Sequence, residues 1–370
     1  MNEKNLELAI DLRHKLHKYP ELSNEEKMTK ETLMDFLRYH TSLEVVDKGK
    51  WFYAVYYAKN RKGNIAFRTD FDAIKVLEEM PLNYCSVNKG VSHKCGHDGH
   101  SAALVALALE INEKGADKDI FFIFQHAEET GDGGEAASQL ITEKNIEEVY
   151  AFHNLPGAPF GSLGVRVGTI CYASLGVELS FTGISSHASE PEKGKNPAYT
   201  IAKIVDRLPI FSQDSKYKGL VLATIVQIEV GQRAFGVSAH RGKLLLTVRA
   251  QFEQELKGFL QEIENFAKEI SCEEGLGIEI QHFDVFPETV NHRESVEKIY
   301  KIAENKGWTV NKMEALRTSE DFGYFLKKTK GSMIWIGAGE EWPALHSFEF
   351  DFNDKLIVRV VELFQELIKI

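Results

Sequence analysis

Three histidines, a cysteine and an aspartate fall within the eight residues HKCGHDGH, from His93 to His100. Thiolate and imidazole are ligands for zinc and its borderline-soft neighbours. Cys95 and His97 stand two apart, so an extended loop would turn both side chains to one side. Further along, Glu128 and Glu129 adjoin in QHAEE, His153 lies in AFHN and His346 in LHSFEFDF. Asp70 and Asp72, in RTDFDAI, add two carboxylates. Adjacent carboxylates allow a division of labour: one binds metal while the other takes a proton from a nearby water. The residues alone leave open which of Glu128 and Glu129 does which. Taken singly, each has a plain alternative. A lone histidine at a strand end is most often structural, and a Glu-Glu pair is most often solvated. Their recurrence at equivalent places points to a metal site.

These groups need elements to bring them together. WFYAVYYA (51–58), GNIAFRTD (63–70), DIFFIFQ (119–125), VYAFHN (149–154) and GSMIWIG (331–337) read as strands from their apolar, aromatic and β-branched content. Between and around them, 5–18, 24–40, SAALVALALEINEKG (101–115), AASQLI and the closing DKLIVRVVELFQELIKI read as helices. Such alternation predicts an α/β domain with a mostly parallel sheet. In that architecture function gathers at the carboxyl ends of the strands, where the residues above fall. From residue 173 the order changes to β-α-β-β-α-β, that of a ferredoxin-like module. The predicted domains are therefore 1–172 with 286–370, and an inserted 173–285.

Bulk properties narrow the function classes. The 370 residues carry 44 Lys plus Arg against 55 Asp plus Glu, a net −11 that disfavours nucleic acid and anionic membranes as partners. The first helix is amphipathic rather than a signal sequence, and no apolar run reaches membrane-spanning length. The default location is cytoplasmic. Cys85, Cys95, Cys171 and Cys272 are too few and too scattered for a disulfide scaffold. TGDGGEA (130–136) imitates a dinucleotide loop, but Glu128, Glu129 and Asp132 crowd it and would repel a pyrophosphate. No nucleophile elbow or Walker A sequence occurs. Asp98 reads as a cap of the following helix. His100 stands between a structural role and one behind the ligands. His14, His17, His40, His282 and His292 read as surface or structural residues.

The order of motifs resembles the M20 family of metallo-amidohydrolases, in the branch of N-acyl-amino-acid, hippurate and aminoacyl-amide hydrolases. HKYPELSNEE (17–26), RTDFDAI (68–74), CGHDGH (95–100), AEE (127–129), SSHAS (185–189), FHN (152–154), SEDF (319–322) and LHSFEFDF (345–352) carry the resemblance across nearly the whole chain. It implies a zinc-exopeptidase-like catalytic domain with an inserted lid and dimerisation domain. It implies Cys95, His97, Glu129, His153 and His346 as ligands of one or two divalent ions, zinc or manganese. Glu128 would be the general base, and Asp70 would orient a ligand histidine, taken as His97. His187 would cross a homodimer interface to stabilise the oxyanion. The implied reaction is hydrolysis of an N-acyl amino acid or similar small amide by a metal-activated water. Alternatives are a dipeptidase, or a metal- or ligand-binding homologue without catalysis. Two departures stand out. Gly236-Val237-Ser238-Ala239 occupies the place of the family's Asn-Val-Ile-Pro, which puts substrate carboxylate recognition in question and leaves His240 or Arg241 to compensate. His126 replaces the proline before Ala-Glu-Glu.

Overall fold

The computed structural model describes the backbone of residues 1–370 and every side chain but that of Asp214. The chain divides into two compact units. The first comprises Met1–Ile170, Thr289–Glu314 and Asp321–Ile370, and the second Cys171–Glu288 with Ala315–Glu320.

The first unit is built on an eight-stranded mixed sheet. Its centre is four neighbouring parallel strands, in the order Asp119–Gln125, Asn64–Asp70, Glu148–Pro156 and Lys330–Gly339. The first two are buried along their whole length, as expected of runs covered on both faces. Phe52–Tyr56 pairs antiparallel beside them and the short Glu44–Asp47 closes that edge. Short strands Leu163–Val165 and Val310–Lys312 extend the other side; three residues each are too few for a period-two signal to show in sequence.

Helix His97–Lys114 is buried from His97 to Ile111. Its AALVALAL run has no polar face because it lies between neighbours, packing against helices Glu3–Lys18 and Leu356–Lys369 and against strand Asn64–Asp70. The helix begins at the edge of the sheet where the parallel strands end. Backbone geometry thus places its first turn beside Asp70 and the segment after Gln125.

The second unit has one antiparallel sheet, in the order Val221–Val230, Arg241–Ala250, Ala173–Thr182 and Gly277–Phe286. Helices Pro197–Phe211 and Glu253–Glu274 cover one face, with a separate core that includes Leu179, Ile204, Leu246 and Phe259. This is the ferredoxin-like arrangement. Residues Ala315–Glu320 join it through Ser319, whose hydroxyl meets Ser174 Oγ at 2.7 Å and accepts from Arg249 Nη1 at 2.9 Å. No helix among the described residues is long and apolar enough to cross a membrane.

Candidate metal centre

The cluster is built wholly from the first unit. His97 opens the buried helix, and Cys95 precedes it across Gly96. The loop is not extended there, as the spacing alone suggested. Gly96 is left-handed, with φ +100°, and a Cβ on it would stand 2.5 Å from Asn154 Oδ1. Only glycine fits a backbone that turns this sharply against a side chain, and the turn is what lets Cys95 and His97 converge. His153 lies within strand Glu148–Pro156 rather than at its end. Glu128 and Glu129 follow Ala127, a non-glycine residue at φ +48°. His346, at φ +63°, is anchored by its own N–H to Lys94 O at 2.7 Å.

Donor atoms of these residues meet. Cys95, His97 and His153 lie within 4.8 Å of one another, as do Cys95, Glu129 and His346, and also His97, Glu128 and Glu129. Cys95 Sγ is 3.4 Å from His153 Nε2. Glu129 Oε1 is 3.7 Å from His97 Nε2 and 3.6 Å from His346 Nε2, and Glu128 Oε2 is 3.9 Å from His97 Nε2. All are buried or half-buried except His346, whose side chain is half exposed. His187 lies in the second unit. There Ser186–His187 pairs with Val237–Ser238, and Gly236 O accepts from Ala188 N–H at 3.0 Å. The departed motif thus backs the His187 strand directly. His187 is exposed, its Nδ1 2.6 Å from Ser189 Oγ.

Hydrogen bonds behind the cluster fix its tautomers. His153 Nδ1 donates to Asn154 O at 2.9 Å, leaving Nε2 as a lone pair facing Cys95. His97 Nδ1 donates to Asp72 Oδ1 at 2.9 Å, which likewise frees Nε2. This corrects the expected pairing of His97 with Asp70. Asp70 Oδ1 is 3.8 Å from His97 Nδ1 and accepts instead from His100 Nδ1 at 2.7 Å. His97 and His100 are one helical turn apart on one face. Asp70, at the end of its strand, meets the deeper turn, and Asp72, two residues beyond, meets the first. Asp70 is also locked by Arg68, whose Nη1 donates to Asp70 Oδ2 at 2.7 Å and Nη2 to Asp321 Oδ1 at 2.6 Å. Asp98 makes no cap. It accepts from His17 Nδ1 at 2.8 Å and Arg13 Nη1 at 3.2 Å, both buried.

The electrostatics follow from crowding. Burial pushes the Cys95 thiol well above its ordinary value, and Glu129 and Glu128 push it further. Burial, with His100 and His97 nearby, holds His153 well below the usual imidazole range. Burial opposes charge on His97 too, but Asp70 and Asp72 outweigh it and raise that imidazole to about 10, so a cation binding at Nε2 would displace a proton there. Asp70 and Asp72 are lowered, burial being overcome by His97 in both and by Arg68 and His100 at Asp70.

Two buried polar atoms aimed into the cluster, His97 Nε2 and Glu129 Oε1, have no hydrogen-bond partner. Orphaned buried polar groups are costly and uncommon. Sulfur, imidazole nitrogen and carboxylate oxygen around two such atoms fit a divalent cation, whose charge also favours the thiolate that burial opposes.

The profile of peptidase family M20/M25/M40 matches residues 66–370. The chain belongs to this family. An N-acetyldiaminopimelate deacetylase of Exiguobacterium sibiricum is 28% identical over 365 residues, covering 97% of this chain and 98% of that protein. One of Limosilactobacillus reuteri is 27% identical over 372 residues, covering 96% of each. Among solved structures, a Bacillus subtilis protein described as a dinuclear metal binding peptidase from the M20 family superposes with a TM-score of 0.82 at 22% identity, covering 99% of this chain and 98% of that one. An aminobenzoyl-glutamate utilization protein from Klebsiella pneumoniae gives 0.73 at 17% identity, covering 97% and 96%. At these identities the structural likeness is one of fold. This M20 chain is accordingly a metallo-amidohydrolase by family. Asp72 was visible to sequence reasoning as a carboxylate, but its task was not: only the helix start shows which aspartate meets which histidine.

Proposed function

We propose that this chain hydrolyses the amide bond of N-acyl amino acids, with N-acetyldiaminopimelate as the leading substrate. The convergence of Cys95, His97, Glu129, His153 and His346 around two buried atoms without a hydrogen-bond partner carries the reading. The names of the relatives support the substrate class. One or two divalent ions, zinc or manganese, would be held by those five residues and, when bound, would polarise the amide carbonyl and acidify a water.

The chain's own residues do the rest. Asp72 keeps the proton on His97 Nδ1, and Asn154 O does the same for His153, so both rings present Nε2. Glu128, 3.9 Å from His97 Nε2, takes the proton of the attacking water and returns it to the leaving amine. The second unit serves as lid and dimerisation domain, and its His187 stabilises the oxyanion in the site of a second copy.

The test is a panel: N-acetyldiaminopimelate, other acetyl and benzoyl amino acids, and dipeptides, with amine release followed in metal-replete and chelated protein. Metal-dependent release from acylated members, absent with dipeptides, is the expected result. Cleavage of dipeptides alone would make the chain an exopeptidase. No cleavage of any member by protein holding metal would overturn the hydrolase reading.

A further inference from the structure

The segment between helices Glu3–Lys18 and Lys27–His40, part of the family-like stretch 17–26, reaches both loops that carry the candidate centre. Leu22 bridges to Ala73, and Ala73 N–H donates to Glu21 O at 2.8 Å. This docks the segment along the loop after strand Asn64–Asp70. Ser23 Oγ then donates to Asp72 Oδ2 at 2.7 Å. The same oxygen accepts from Glu129 N–H at 3.0 Å, while Asp72 Oδ1 holds His97. One carboxylate therefore ties together a ligand histidine and the backbone of Glu129, and Ser23 fixes that carboxylate from behind.

Glu26 holds the second loop. It is buried, and its Oε1 accepts from Ala127 N–H at 2.7 Å. Ala127 is the left-handed residue immediately before Glu128 and Glu129, and its carbonyl accepts from the N–H groups of Asp132 and Gly133. Such a conformation persists in a non-glycine residue only when its surroundings over-determine it. The Glu26 carboxylate also meets the backbone N–H groups of Asn24 and of Glu26 itself, so Ala127 is its distant partner. Glu26 stands at the N-cap of helix Lys27–His40 but makes no capping bond with its side chain. Glu21 serves that helix start instead, its Oε2 accepting from Thr29 N–H and Oγ1 at 2.7 and 2.9 Å. Burying a carboxylate costs free energy that an apolar residue would not incur, so its long reach to Ala127 asks for a reason.

We propose that Ser23 and Glu26 are positioning residues for the metal centre, Ser23 holding the Asp72 carboxylate that orients His97 and Glu26 holding the turn that aims Glu128 and Glu129. This rests on the metallohydrolase reading above. Neither residue touches the reacting atoms. Each acts on its loop through a hydrogen bond to that loop, so the geometry of the donors, rather than the fold, should register its loss.

The experiment titrates zinc into chelated full-length protein against a chromophoric competitor, for wild type, Ser23→Ala, Ser23→Thr, Glu26→Ala and Glu26→Gln. Removing an outer hydrogen-bond partner of a metal ligand costs about 10–100-fold in affinity. Ser23 and Glu26 each stand one step further out than such a partner, so a loss at the lower end of that range, about tenfold, is expected for both alanine variants. Threonine keeps the hydroxyl and glutamine keeps an acceptor oxygen, so both should return to near the wild-type affinity. Alanine variants that bind zinc like wild type overturn the proposal. So do threonine and glutamine variants as weak as the alanines, because shape rather than the hydrogen bond would then be at stake. If Glu26→Ala does not fold, the Ser23 pair and Glu26→Gln decide. Wild type that binds no zinc would instead overturn the metallohydrolase reading, which separates the two failures.

Discussion

His97 Nδ1 and Asp72 Oδ1 lie 2.9 Å apart, both fully buried, and this contact sets which nitrogen of His97 faces the candidate centre. Asp70, two residues earlier and equally buried, has a different partner and so a different use. Asp72→Ala should weaken divalent-ion binding by about 10–100-fold, since the ring loses the acceptor that fixes its tautomer. Calorimetric titration of chelated protein checks this; unchanged affinity would remove Asp72 from the site.

Asp70→Asn should act on stability instead. It takes the charge from a carboxylate that Arg68 and His100 both reach in a dry interior. Breaking a buried pair by removing one partner costs on the order of 3–5 kcal/mol. Denaturant unfolding of the metal-free variant measures the loss. A shift under 1 kcal/mol, by the typical worth of an exposed pair, would mean that Arg68 is satisfied without Asp70, through partners such as Asp321 and Gln125 Oε1, which accepts from its Nε at 2.9 Å.

Glu128→Gln should separate chemistry from binding. The substitution keeps size and removes the base, so kcat should fall at least about a hundredfold by the usual contribution of general-base catalysis, while metal content per chain stays at the wild-type level. Parallel loss of metal would instead make Glu128 a ligand and reopen the division of labour with Glu129.

Chemistry-bearing residue types were legible in sequence, because thiol, imidazole and carboxylate side chains recur at strand ends. The central strands were legible for a related reason: runs such as DIFFIFQ are buried on both faces and need no alternation. What escaped was pairing. RTDFDAI shows two aspartates and CGHDGH two histidines beyond Cys95, but it takes the left-handed turn at Gly96, the helix that it opens and the end of the strand at Asp70 to see that His97 meets Asp72 and His100 meets Asp70. The reach of Ser23 and Glu26 to Asp72 and Ala127 escaped as well, since contacts 49 and 101 residues apart leave no local pattern. His17, read as a surface or structural residue, is structural and fully buried, but its two carboxylate partners left no local pattern either.

Gly96→Ala is the most economical test of that turn. An alanine there meets Asn154 Oδ1 at 2.5 Å and must hold φ near +100°. Such a backbone costs on the order of 1–3 kcal/mol. Lower thermal stability together with weaker metal binding is expected. Full metal affinity in a destabilised variant would show that Cys95 and His97 can converge by another route.

His17 makes the fold's stability depend on pH. It is fully buried, its Nδ1 2.8 Å from Asp98 Oδ2 and its Nε2 3.0 Å from Glu78 Oε1, with Asp351 at 3.8 Å. Burial opposes its charge, but Asp98 and Glu78 outweigh burial and raise the imidazole from 6.5 to about 9. Because the folded value lies above the unfolded one, the contribution is fully present below about pH 6.5 and is lost as pH rises through about 9. The shift corresponds to about 3 kcal/mol at most. The stability gap between wild type and His17→Gln, measured by denaturant unfolding of chelated protein, should therefore be widest near pH 6 and narrow steadily toward pH 10. Asp98 and Glu78, which His17 helps to keep ionised, are carboxylates held far below this pH range, and groups remote from His17 cancel in the difference. A gap that stays constant across that range would mean that His17 stays neutral, donating to only one of Asp98 and Glu78, with Arg13 on Asp98 and Lys94 on Glu78 supplying the compensating charge.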